Sequence, residues 1–366
     1  STVGNAVSFN GNLTLTSGMT VGAGSAAYNV AINGSSNTIA GTTTFNNTGT
    51  VTLGNGSDTI NFTGGVVATA PSGVTVNGTV TAAGTGVITL GDGNTGVTIS
   101  STSTIGGTST GAITLGAATL ADGATLTVGT GIANAISLSS VTGTASGTAS
   151  NLTIYTTGAV TIGGAVGTDI GTITITNSGG TTFSSTVDAA TVAITSSTVG
   201  NAVSFNGNLT LTSGMTVGAG SAAYNVAING SSNTIAGTTT FNNTGTVTLG
   251  NGSDTINFTG GVVATAPSGV TVNGTVTAAG TGVITLGDSG TGLTIGGTST
   301  IGGTSTGQIT TGAIALNNNL TLGAGVATPI SLTTVTGPSS GTANLTFDTT
   351  GSITVSGAVG TNIGTL

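Results

Sequence analysis

The only side chains of this 366-residue chain that are charged at neutral pH are eight aspartates: Asp58, Asp92, Asp122, Asp169, Asp188, Asp254, Asp288 and Asp348. Lys, Arg, His and Cys are absent. The chain therefore has no imidazole or amine base, no thiolate nucleophile and no nitrogen or sulfur metal ligand. Two kinds of carboxylate chemistry remain. The first is calcium binding. GNGSDTI at 54–60, repeated at 250–256, fits the G-x-G-x-D-x-U half of a calcium-binding nonapeptide repeat, which makes Asp58 and Asp254 candidate calcium ligands. Ca²⁺ takes six to eight oxygens, and here each motif stands alone. The competing reading is an Asx turn, in which the aspartate caps backbone amides ahead of Ile60. Asp92 in LGDGNTG (90–96) and Asp288 in LGDSGTG (286–292) read as turn residues.

The second is glycoside hydrolysis, which needs two carboxylates about 5–10 Å apart. Asp169 and Asp188 are the acids that coil stacking could bring together. Neither has a cation to tune it, and the repeat carries Asn362 where the first copy has Asp169. The expectation is a protein that is not an enzyme and uses no cofactor, calcium being the one exception the motif allows. A formal charge of -8 excludes a nucleic-acid partner, because phosphate binding draws on cationic side chains. No run of about 18 apolar residues is present, so this segment is not expected to insert in a membrane. The opening Ser1, Thr2, Val3, Gly4 lacks the pattern of a signal peptide, as expected for an internal piece of a longer protein.

The elements that would hold these aspartates come from a tandem repeat. Residues 1–92 recur without a change as 197–288, a period of 196 residues. Beyond Asp288 the copies diverge but remain alignable, and Leu366 matches Ile173. The organisation expected is unit 1 at 1–196 and a truncated unit 2 at 197–366, stacked as one continuous rod. Within each unit, short alternating segments such as AVSFN (6–10), NLTLT (12–16) and TITIT (172–176) are punctuated by Asn-Gly, Gly-Gly and Asp-Gly turns. Alternation puts Val7 and Phe9, Leu13 and Leu15, Ile60 and Phe62, and Ile173 and Ile175 on a buried face, with Thr14, Thr16, Thr172 and Thr174 outward. Strands of about three to six residues are expected, each followed by a turn.

The fold class that follows is all-β: a parallel β-solenoid (β-helix) of short strands and Gly/Asn-rich turns, essentially without helix. A coil of about 20–25 residues would give about 15–18 coils and, at about 4.8 Å each, a rod some 70–85 Å long. The motif starts GTVTLG (49), GVITLG (86), GAITLG (111) and GAVTIG (158) lie 37, 25 and 47 apart, near multiples of 12, which also permits a thinner two-sided coil. Immunoglobulin-like sandwiches are the competing fold, disfavoured by aromatics at only 3%. Phe9, Phe45, Phe62 and Phe183 read as core fillers.

The texture of runs such as GAVTIGGAVGTDIGTITITNSGGTTFSSTVDAATVAI (158–194) resembles the repetitive β-helical shafts of filamentous-haemagglutinin-like and giant autotransporter-type bacterial surface adhesins. The resemblance implies an extracellular protein of the bacterial cell surface, acting as a rod, filament or adhesin shaft. Its expected partners are further copies of itself, stacked end to end or as tandem repeats; the sequence names no receptor. A surface-layer or sheath lattice is the alternative. Ice or crystal-surface binding through Thr-x-Thr rows is a further one, and the uneven motif spacing speaks against the strict register that such rows need.

Overall fold

A computed structural model describes residues 4–360 and 362–366. Thr, Val, Ile and Gly are poor helix formers, and in this chain they alternate with the period of a strand. Among the described residues there is accordingly no helix, and the chain is an all-β parallel β-solenoid of about 15 turns. Every pairing among the described residues of each unit is parallel between successive coils, which excludes the antiparallel Greek-key sandwich. The chain divides into two compact units, Ser1–Ser185 and Thr186–Leu366.

In the first unit the strands fall on three faces per coil. The first carries Ala6–Phe9, Asn29–Ile32 and Val97–Ile99; the second Ser36–Ile39, Ser103–Gly107 and Thr125–Val128; the third Thr43–Phe45, Gly65–Ala68 and Val87–Leu90. Partners one coil apart are separated by 20 residues (Asp58 on Gly78) to 26 residues (Thr125 on Asn151). The thinner two-sided coil is therefore not formed. Some strands are longer than the expected three to six residues. Thr50–Phe62 and Gly73–Ala82 run from the first face onto the second without a break, because glycines let the backbone turn the corner. Gly78 sits at such a corner with φ 135°, and a Cβ there would lie 2.4 Å from the Asp58 carbonyl oxygen.

Inward residues stack on their like. On the first face the column Val30, Val51, Val74, Val97, Ala118, Val141 is in register coil upon coil, each member at most 3% exposed. On the second, Ile60, Val80, Ile105, Val128, Ile154 and Ile175 do the same. Phe45 and Phe62 meet edge to face, 6.2 Å between ring centres. The second unit repeats the arrangement with Val226, Val247, Val270, Leu293, Ile314 and Val335. Val7 departs from the expected burial at 41% exposed, since no described strand lies on its free side.

The corners carry buried polar residues. Asn37 is 1% exposed; its Oδ1 accepts from the Leu13 amide of one neighbouring coil at 3.0 Å, and its Nδ2 donates to the Thr59 carbonyl of the other at 3.3 Å. Four further corners share one device. Ser109, Thr156, Ser305 and Thr349 each accept from the amide of the glycine two positions on, at 2.9 Å. Each hydroxyl donates to a carbonyl of the preceding coil, at 2.6 to 2.7 Å: Gly86, Asn134, Gly282 and Thr328 in turn. The glycine is required by that approach: a Cβ on Gly158 would stand 2.1 Å from the Asn134 oxygen.

Thr156 is fully buried. Thr156→Val keeps its shape but leaves the Gly158 amide without an acceptor, so a loss of about 1–3 kcal/mol is expected in urea unfolding. A Val variant as stable as the parent would show that this seam contributes nothing.

Candidate calcium sites and outer faces

Asp58 lies where the strand Thr50–Phe62 bulges between its two faces, the register shifting between Leu53 and Asp58. Gly54 has φ 88°, a conformation open to glycine at little cost. Asp58 Oδ2 accepts from the Asn55 amide at 2.8 Å, and the residue is 8% exposed. Asp254 repeats this with the Asn251 amide at 2.7 Å and the same burial. Both carboxylates thus cap their own turns. Among the described residues no three acidic side chains gather into a group able to hold a metal. Each GNGSD turn would offer Ca²⁺ one charged ligand, with carbonyls making up the rest of a six- to eight-oxygen shell.

Asp92 and Asp288 hold Asx turns. Asp92 Oδ1 accepts from the amides of Asn94 and Thr95 at 2.8 and 2.9 Å; Asp288 Oδ1 accepts from Gly290 and Thr291 at the same distances. The turn delivers Thr95, 3% exposed, to the Thr69 and Pro71 carbonyls of the preceding coil, and Thr291 likewise reaches Thr265 and Pro267. The Asn94 amide, then the Thr95 amide, hold the Asp92 carboxyl below its ordinary value of 3.8. Asp122 accepts from the Thr148 amide at 2.5 Å. Asp169 sits with Thr168 in a turn where both have positive φ (58° and 54°), and its Oδ2 is buried without a hydrogen-bond partner. Asp188 points outward from the strand Val187–Ile194 and is exposed. A cleft of the first unit, about 480 Å³, is lined by Thr42, Thr63, Gly64, Ala83, Thr85 and Val87 among others, with no carboxylate.

The outward positions form rows. In the first unit Thr52, Thr75, Thr98, Thr119 and Thr142 are in register on the first face, and Thr59, Thr79, Thr104, Thr127, Thr153 and Thr174 on the second. The third face interrupts its row with Val67, between Thr44 and Thr89. The uneven spacing of the sequence motifs therefore does not break threonine register, because the turns absorb the differences in coil length. What limits a water-ordering surface is width. The second face is two polar positions wide at Thr59 and Asn61 and at Thr79 and Thr81, loses the second of them at Gly106, and is two wide again at Thr125 and Thr127, Asn151 and Thr153, and Thr172 and Thr174.

Two outcomes test the aspartates. Asp58→Ala should cost about 1–2 kcal/mol through the lost turn bond, with a melting temperature that neither CaCl₂ nor a chelator moves. A calcium-dependent rise that Asp58→Ala abolishes would establish the metal reading instead. For Asp92, the folded value lies below the unfolded one, so its contribution is present above pH 3.8 and is lost as pH falls through the folded value. The melting-temperature gap between parent and Asp92→Ala should accordingly close below about pH 4; a gap constant down to strong acid would refute this role. No family model matches the chain, and no curated protein or solved structure does so either.

Proposed function

We propose that the chain is a structural segment of a repetitive extracellular bacterial surface protein, a rod or adhesin shaft without catalytic activity, partnered by further copies of its own repeat. The observation that carries this reading is the coil-upon-coil register inside each unit. Inward columns of Val and Ile and outward rows of Thr persist while coil length varies from 20 to 26 residues. A structure built this way extends by adding coils, and its outer surface offers hydroxyls and amides without charge. The absence of Lys and Arg removes every trypsin site, which suits exposure to proteases. The carboxylates are engaged in turns or scattered singly, consistent with a spacer in place of an active site.

A series of chains with one, two, three and four copies of the 196-residue unit tests the shaft. Solution scattering should show the maximum dimension growing linearly, by about 40 Å per unit, at constant cross-section. A dimension that grows only with the cube root of mass would overturn it. Antibody against the chain should label intact producing cells; labelling only after permeabilisation would remove the surface assignment.

A further inference from the structure

Residues 13–21 and Leu209–Val217 share the sequence LTLTSGMTV in two different surroundings. In the second unit the stretch is one nine-residue strand. There the strand Val187–Ile194 lies parallel along it, Val187 opposite Leu209, Ala189 opposite Leu211, Val192 opposite Met215 and Ile194 opposite Val217. Leu209, Leu211, Met215 and Val217 are at most 4% exposed. In the first unit no described strand occupies that side. The same sequence forms only the two-residue strands Thr14–Leu15 and Thr20–Val21, and Leu13, Leu15 and Met19 are half-exposed.

The open side is shaped for a strand. It continues into a groove of about 210 Å³ lined chiefly by Val7, Phe9, Met19, Val21, Tyr28 and Val30. The covered copy needs a register shift after Ala189, accommodated at Gly214 with φ 131°; Gly18 in the open copy already has φ 113°. The strand's end is also defined. Ser196 Oγ accepts from the Ser221 amide at 3.3 Å, beside Tyr224, which is fully buried and donates to the Gly218 carbonyl at 2.6 Å. Burial pushes the Tyr224 hydroxyl up to about 12. Tyr28 makes the same bond, to Gly22 at 2.5 Å, yet is only half-buried.

We propose that the open side of residues 13–21 is a docking site for a parallel β-strand with the sequence of Val187–Ile194, supplied by another copy of the repeat unit. Recognition is by strand addition: main-chain bonds supply affinity, and the alternate side chains Val187, Ala189, Val192 and Ile194 fill the apolar column. The outward Asp188 keeps its charge in water, so docking buries no unpaired ion. This deepens the shaft reading and rests on it only for the source of the strand.

The test uses Tyr155→Phe and Tyr224→Phe together, which leave Tyr28 the sole tyrosine of three. Acrylamide quenching of its fluorescence is compared between this chain and the same chain carrying a second copy of residues 174–196 ahead of Ser1. Tethering makes docking intramolecular, so weak affinity does not mask it. The quenching constant should fall severalfold with the natural extension. It should stay at the parent value with a scrambled extension, or with Val→Asp at the position copied from Val192. Unchanged quenching with the natural extension, or equal protection by the scrambled one, overturns the proposal. A unit series that lengthens while Tyr28 stays unprotected defeats the docking site alone; a protected Tyr28 in chains that do not lengthen defeats the shaft alone.

Discussion

Parallel main-chain pairing between one coil and the next is the interaction on which the rest of this structure depends. It sets the distance between coils, and with it everything that can stand at a given height. Side chains at one register position stand directly above one another, so Val sits on Val and Thr on Thr along much of each column, with smaller residues such as Ala82 above Phe62 taking up differences in size. A backbone that turns a corner at this spacing leaves no room for a Cβ against the carbonyl of the adjacent coil, so the corners at Gly78 and Gly158 are glycine. Polar groups turned inward at the corners find their partners a coil away. Asn37 answers both neighbours; Thr156 and Thr349 answer one and their own turn.

Because the chain has no cation, nothing in it depends on charge pairing. Five of the eight aspartates serve as acceptors where the backbone needs one: Asp58 and Asp254 hold the amide three residues back, Asp92 and Asp288 those two and three residues on, and Asp122 one a coil away. Cohesion comes from apolar columns and hydrogen bonds, both short in range, and this keeps each coil answerable only to those it touches. The outer surface follows from the same economy: Thr fills outward strand positions through its β propensity and contributes hydroxyls without charge.

Much of the fold was legible in the sequence because alternation is a local property. Ile60, Phe62, Ile173 and Ile175 are buried as their spacing indicates. The coil was harder to read. GVITLG, GAITLG and GAVTIG all begin third-face strands, so their spacings of 25 and 47 are one and two full turns, while GTVTLG belongs to the first face. Mixing faces produced the apparent unit of 12. The corner hydroxyls were missed although a signal was present. STGAI (109–113), TTGAV (156–160), STGQI (305–309) and TTGSI (349–353) share a hydroxyl residue two positions before a glycine and an apolar strand. Their role shows only when the carbonyl of the coil below is in view. For the GNGSD turns, the lone motif supplies too few ligands to favour calcium over capping; the position of the Asn55 and Asn251 amides gives the carboxylates an occupation inside the chain.

LTLTSGMTV forms two short strands in one place and one long strand in the other, so its extent is decided by its neighbour and not by its own residues. A unit with this property carries at one end the surface that its own later segment covers. Unequal crossing-over between such units would therefore change copy number without requiring any new interface to evolve. The unbroken identity of residues 1–92 with 197–288 is the trace such exchange leaves. Coil number then becomes a heritable quantity that varies in whole steps, adjusted by recombination and independent of point mutation.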